Sequence, residues 1–271
     1  MVMSQAEKAF RFRELHQRKE CLLIPNPWDT GSAKILEGLG FEAIATSSAA
    51  SAASLGRRDG LITREEAFVH VSGIVDATQL PVSADLENGF GDDPSVVAET
   101  IRLAVDSGLV GASIEDFTKK DRQLYSREQS VERIAAAVEV ARSVDFPFMV
   151  TARCESFSHG SSDIEDTIQR LVAYEKAGAD VLFAPGLPNL DAIRAVCSAV
   201  SKPVNFMVGI DGKSFSIAEL VSCGVKRISF ASSFYRAAMQ GLFDAAREVK
   251  EQGTFDYLKN TITTPELNRF F

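Results

Sequence analysis

The sequence predicts a single α/β domain, a (β/α)₈ TIM barrel, on three observations along its 271 residues. Short apolar runs alternate with longer amphipathic ones eight times over, nearly from end to end. Helical stretches close at glycine just before a new apolar run, at Gly40-Phe41, Gly108-Leu109, Gly178-Ala179 and Gly224-Val225. Glycine there supplies the left-handed cap that turns the chain back into a sheet. No linker of biased composition interrupts the pattern, so one domain is expected over 1–271. A doubly wound open sheet is the alternative, but no glycine-rich phosphate-binding turn follows the first strand.

Taken in order, an N-terminal helix pattern at Ala6–Gln17, within an N-terminal segment 1–20, is expected to plug or flank the barrel. Strands are expected at Cys21–Pro25, Ala43–Thr46, Val82–Asp85, Gly111–Ile114, Phe148–Ala152, Val181–Ala184, Val204–Met207 and Ile228–Ala231. Helix patterns lie near Gly31–Glu37, Arg64–Thr78, Pro94–Ser107, Ser130–Ser143, Ile164–Ala177, Asn189–Val200, Ser216–Ser222 and Phe234–Glu251. Asp93-Pro94 puts proline in a first turn, and Thr63-Arg64-Glu65-Glu66 is a capping box. The extension 252–271, with Thr263-Thr264-Pro265 and Phe270-Phe271, reads as a segment that docks against something, such as a neighbouring subunit.

Composition narrows the function. A net charge of −8 argues against a nucleic-acid partner, because no basic stripe exists to neutralise phosphates. No apolar stretch approaches the ~20 residues that span a bilayer, so no membrane partner is expected. Glu7, Lys8, Arg11 and Arg13 occupy the start without an apolar signal region, which makes the cytoplasm the expected location. Cys21, Cys154, Cys197 and Cys223 form no C-x-x-C pair and suggest neither zinc nor a disulfide framework. His16 and His70 fall in helix patterns, and His159 sits in a polar loop that could approach a site. No Ser/His/Asp arrangement is visible, which argues against triad hydrolysis.

In a barrel, strand C-termini face the active site. Strand one offers Asn26, Trp28 and Asp29 there; strand two Ser47 and Ser48; strand three Asp85 and Glu87; strand four Glu115 and Asp116; strand five Arg153 and Glu155; strand seven Asn205. Asp85 and Glu87, two apart on a strand, are expected to project together. With Glu115 they form an acid cluster suited to Mg²⁺, which takes few carboxylates and several waters. The plainer alternative pairs Glu115 with Arg153, and both can hold. Arg153 can grip a carboxylate or phosphonate through two parallel hydrogen bonds, or pair with Glu155 or Glu115. Ser47 and Ser48, opening a helix-like stretch, are either ordinary caps or an anion seat. Trp28 is either a lid over a ligand or core, and Asp59 is either a turn residue or reaches the site from its loop. Asp29 and Asn205 complete the substrate-binding candidates.

Pro25-Asn26-Pro27-Trp28-Asp29, Gly56-Arg57-Arg58-Asp59-Gly60, Asp85-Leu86-Glu87-Asn88-Gly89-Phe90-Gly91, Ser113-Ile114-Glu115-Asp116 and Thr151-Ala152-Arg153, in this order, resemble the isocitrate lyase/phosphoenolpyruvate mutase superfamily. The resemblance runs from about Leu22 to Met239. It implies Mg²⁺, with Mn²⁺ as an alternative, and an α-oxo acid whose C–C or C–P bond is formed or broken through an enolpyruvate. It also implies a homo-oligomer, dimer or tetramer, whose dimers exchange the eighth barrel helix. Carried over by position, Asp85 binds Mg²⁺, with Glu87 and Glu115 acting mostly through water. Ser47, Ser48 and Arg153 hold the oxo-acid carboxylate, Trp28 packs over the ligand, and Asp59 lies near the reacting group. The Lys-Lys-Cys-Gly-His loop of isocitrate and methylisocitrate lyases is replaced by Thr118-Lys119-Lys120-Asp121-Arg122-Gln123-Leu124-Tyr125, without cysteine or histidine. That departure points away from tricarboxylate cleavage and toward a mutase-like branch, with Lys119 or Lys120 as proton donor or anion screen. The expected function is a Mg²⁺-dependent lyase or hydrolase of a small 2-oxo acid. The alternatives are C–P mutase or hydrolase chemistry on a phosphonate, and a non-catalytic 2-oxo acid binding protein.

Overall fold

The computed structural model describes residues 3–118, 121–160 and 163–271. Its strands are β1 (Leu22–Ile24), β2 (Ile44–Ala45), β3 (Val82–Asp85), β4 (Gly111–Glu115), β5 (Phe117–Thr118), β6 (Gln123–Leu124), β7 (Met149–Arg153), β8 (Val181–Phe183), β9 (Val204–Met207) and β10 (Arg227–Ser229). Among the described residues, eight of these pair in parallel in the order β1-β10-β9-β8-β7-β4-β3-β2. The backbone N–H of Ala45, on the last strand of that order, donates to the Pro25 carbonyl just beyond the first, at 3.0 Å. That contact draws the two edges into a nearly closed barrel. All eight expected strands are present, some shorter by a residue or two. Sequence reasoning missed the antiparallel hairpin of β5 and β6 that projects beyond β4.

The helices are α1 (Gln5–Gln17), α2 (Thr30–Gly38), α3 (Ser48–Ser54), α4 (Arg64–Ala77), α5 (Pro94–Asp106), α6 (Arg127–Arg142), α7 (Ile164–Lys176), α8 (Leu190–Ala199), α9 (Ile217–Ser222), α10 (Ser233–Gln252) and α11 (Thr264–Leu267). Their starts follow the sequence signals. Thr63 Oγ1 accepts from the Glu66 N–H at 3.3 Å while the Glu66 carboxylate accepts from the Thr63 N–H at 2.9 Å, and Pro94 follows the Asp93 cap. Both devices satisfy backbone donors that a helix leaves open at its N-terminus. Among the described residues, no helix is long and apolar enough to cross a membrane.

The main core lies between the strands and the helices around them, from Ile44 and Val82 through Ile114, Phe148 and Val150 to Ile228. A second cluster stops one end of the barrel. Ala9, Phe12 and Leu15 of α1 pack there against Leu22, Ile24, Val110, Met149 and Val181. The N-terminal helix is therefore a plug, as its pattern suggested. Gly111 makes the fit possible: a Cβ on it would stand 2.7 Å from the Met149 carbonyl and 3.2 Å from the Phe12 ring. The C-terminal extension docks on its own chain, where the Phe270 ring leaves no room for a Cβ on Gly38 of α2. The neighbouring subunit suggested by the sequence is not required for that contact.

Candidate active site

With α1 closing the N-terminal pole, chemistry is confined to the C-terminal ends of the strands and the space beneath them. A cavity of about 200 Å³ runs inward from the C-terminal ends of the strands, with Ser48, Asp59, Asp85 and Arg153 near its mouth and Asn205 and Arg227 also on its wall. Over the mouth lies a second space of about 420 Å³, sharing Ser48, Asp59 and Arg153 and adding Glu115, Arg122, Glu155 and His159.

Asp85 is the last residue of β3 and is held on every side. Its Oδ2 accepts from the Ser48 N–H at 3.2 Å and from Ser48 Oγ at 3.0 Å, and its Oδ1 accepts from the Glu87 N–H at 3.2 Å. Its own N–H donates to Thr46 Oγ1 at 3.1 Å. The N-terminus of α3, read as an anion seat, thus already holds a carboxylate. Ser47 lines the cavity and caps the same helix, its Oγ accepting from the Ala50 N–H at 3.4 Å.

Arg153 ends β7 among the acids. One Nη1 stands 3.6 Å from Asp85 Oδ2 and 3.6 Å from Glu115 Oε2, and Nε is paired with Glu155. Burial alone would disfavour the charged guanidinium, but Glu155, Glu115 and Asp85 together raise its pKa above the ordinary arginine value. Glu115 therefore does pair with Arg153, as the plainer reading held. His159 brings Nε2 to 3.5 Å from Glu155 Oε2 and stacks its ring on Phe117 at 3.5 Å. Burial, ahead of the raising influence of Glu155, lowers its pKa.

Glu87 corrects the strand argument. β3 stops at Asp85, and Glu87 has φ +52°, so the two-residue alternation does not reach it. Glu87 is buried, and its carbonyl accepts from the Glu115 N–H at 2.9 Å. This left-handed backbone at a non-glycine residue is a costly local conformation of the kind that collects at functional sites.

Asp59, exposed in its loop, lines both spaces, and Asn205 lines the inner one. Trp28 and Asp29 line neither. The Trp28 ring packs edge-on against Tyr235 with centroids 5.5 Å apart. Asp29 is exposed and caps α2, accepting from the Ser32 N–H at 2.7 Å, so its place at a strand end reflects helix capping. Lys119 and Lys120 lie outside the described residues.

Two groups support the site: Asp116, which stood among the strand-end residues without an assigned role, and Arg227, which sequence reasoning missed. Asp116 sits behind the cavity wall, its Oδ1 accepting from the Glu155 N–H at 2.8 Å and its Oδ2 from Tyr174 Oη at 2.6 Å and Arg170 Nη1 at 3.3 Å. It fixes the backbone that carries Glu155. Arg227 opens β10, one residue before the expected strand. The available signal was its two-residue spacing from Ser229, which puts both on one face.

Among the described residues, no group of three or more His, Cys, Asp or Glu side chains stands close enough to cage an ion. Asp85, Glu115 and Glu155 nevertheless converge on a single arginine. Their oxygens are hard donors of the kind Mg²⁺ takes. The set fits a Mg²⁺ that takes one or two carboxylates and keeps its waters, rather than an all-protein cage.

Known proteins resemble the whole arrangement. A family model described as phosphoenolpyruvate phosphomutase matches residues 12–250. A 2-methylisocitrate lyase of Aeropyrum pernix is 30% identical over 252 residues, 89% of this chain and 80% of its own. An oxaloacetate decarboxylase of Pseudomonas entomophila is 31% identical across 90% of this chain and 85% of its own. A solved structure from Burkholderia cenocepacia J2315, provisionally described as a lyase/mutase, superposes with a TM-score of 0.96 at 51% identity, over 98% of this chain and 96% of its own. Likeness of fold and of sequence converge, and the chain belongs to the phosphoenolpyruvate mutase/isocitrate lyase superfamily.

Proposed function

We propose that this chain is a Mg²⁺-dependent lyase that breaks a carbon–carbon bond of a small 2-oxo acid, through an enolpyruvate-like intermediate. The observation that carries the reading is the convergence of Asp85 and Glu115 on Arg153 at the mouth of a closed-bottomed cavity. Relatives named as a 2-methylisocitrate lyase and an oxaloacetate decarboxylase support carbon–carbon cleavage, and oxaloacetate is itself a small 2-oxo acid. Asp85, with Glu87 and Glu115 acting through water, would hold the ion. When bound, Mg²⁺ supplies Lewis-acid stabilisation of negative charge on the 2-oxo oxygen.

The protein's own groups do the rest. Arg153 takes the substrate carboxylate and offsets charge that grows as the bond breaks; Glu155 and Glu115 keep it ionised and aimed. Ser47, whose Oγ accepts the cap bond and keeps its own proton to donate, is assigned to orient that carboxylate, while Ser48 holds Asp85 in place. Asp59 stands at the junction of the two spaces, where it can move a proton at the reacting carbon or its substituent. Lys119 or Lys120 is assigned the return of a proton. The protein would act as a homo-oligomer in the cytoplasm. Support for the assembly comes from α10, which presents Leu242 and Phe243 to solvent at 61% and 64% exposure.

The test is turnover. The chain with Mg²⁺ is offered oxaloacetate, 2-methylisocitrate, 2,3-dimethylmalate and phosphonopyruvate, and products are followed by NMR. Cleavage of a C–C substrate, lost by on the order of 10³-fold in Asp85→Ala, is the expected result. The family model's description favours one second reading, C–P chemistry, which turnover of phosphonopyruvate alone would establish. Binding without turnover of any of them would leave a 2-oxo acid binding protein.

A further inference from the structure

The inner cavity ends in an unusual way. Interior positions of such barrels are commonly filled by bulky branched side chains. Here Ser83, Ser113 and Ser229 line the space instead, and small hydroxyl residues leave it open down to a guanidinium. Arg227 is 5% exposed and opens β10, whereas Arg153 closes β7, so the two arginines enter the cavity from opposite poles. Arg227 Nε donates to Asn205 Oδ1 at 2.8 Å, and Asn205 Nδ2 donates to Ser229 Oγ at 2.9 Å. On its far side, Arg227 Nη1 meets His16 Nε2 at 3.5 Å. His16 Nδ1 lies 2.8 Å from the Phe12 carbonyl, which only a protonated Nδ1 can bond, so Nε2 is the accepting nitrogen of a neutral ring.

These contacts use two of the five N–H donors of the guanidinium, both on neutral partners. Among the described residues, no carboxylate forms an ion pair with Arg227. Burying a cation without a counter-charge is strongly unfavourable, and an apolar residue would close the barrel at less cost. Burial holds the Arg227 pKa down to about 9, which leaves it charged at neutral pH. A buried charge kept at the end of an open polar channel is complementary to an anion that arrives from outside.

We propose that Arg227, oriented by Asn205, forms a second anion subsite at the cavity floor, which takes the far carboxylate of a dicarboxylic 2-oxo acid while the oxo-acid end faces Arg153. This rests on the reading of the cavity as the 2-oxo acid site and narrows it to dianions long enough to span both arginines.

Matched ligands isolate the floor. Calorimetric titration of the full chain in Mg²⁺ compares oxaloacetate with 2-oxobutyrate and 2-oxoglutarate with 2-oxovalerate, pairs that differ in the far carboxylate. At least one dicarboxylate is expected to bind tenfold or more tightly than its partner. Arg227→Met should reduce that ratio to about twofold while leaving the monocarboxylate unchanged. Asn205→Asp should do the same by placing a fixed carboxylate against Arg227; it retains a paired interior and serves if Arg227→Met does not fold. A preference that survives in the folded variants, or equal losses for both members of a pair, overturns the floor subsite. A parent chain that binds 2-oxo acids without preferring either dicarboxylate overturns it alone, whereas a parent that binds none of the four also removes the functional reading beneath it.

Discussion

At the scale of single residues, burial decides which charges the fold can bear. His16 is 5% exposed, and desolvation, ahead of the nearby Arg227 charge, lowers its pKa from 6.5 to about 3. The unfolded chain therefore binds a proton between about pH 6.5 and 3 that the folded chain refuses, and stability falls as pH drops through that window. The slope contributed is on the order of 1 kcal/mol per pH unit at most. Urea midpoints measured from pH 7 to 4 should fall less steeply in His16→Gln than in the parent. Much of the site was legible for a simple reason: Asp85, Glu115, Arg153, Ser47 and Ser48 stand at strand ends, and a barrel gathers strand ends. Asp29 stood at such an end too, yet the local demand of a helix start claimed it. His16 and Arg227 were opaque because nothing local in either segment shows that they meet.

Individual elements carry the next tier. The plug α1 earns its place through Phe12, which is fully buried against the ends of β1, β4, β7 and β8. Phe12→Ala should cost about 3–5 kcal/mol of unfolding free energy. Gly111→Ala, which drives a methyl toward the Met149 carbonyl and the same ring, should cost about 1–3 kcal/mol. Chemical denaturation reads both, and a neutral Gly111→Ala would show that the plug can shift aside. The alternation of short apolar-rich segments with longer amphipathic ones located the eight barrel strands, even where a strand carries polar residues, as β3 and β9 do. It missed β5 and β6 because Phe117-Thr118 and Gln123-Leu124 each hold one apolar residue in a polar stretch, unlike β2, which lies within the apolar-rich Ala43–Thr46. The expected bounds of β3 match the structure, but two-residue alternation does not carry past Asp85 to Glu87, where the backbone has turned left-handed.

For the molecule as a whole, the apolar face of α10 bears on assembly. If that face is an interface, light scattering should give a mass of two or four chains, and Phe243→Glu with Leu242→Glu should lower it to one without loss of helical signal. A monomeric parent would remove the assembly from the functional reading. The order of strands around the barrel has a consequence for biosynthesis. β1 pairs with β10, and His16 meets Arg227 across 211 positions of chain. Ribosomes add ~5–20 residues per second, so roughly 10–40 s separate the appearance of the two halves of this seam. For that interval a nascent chain exposes the edge of its first strand, an aggregation hazard, and a chaperone that shields the opening segment would act before the last strand emerges.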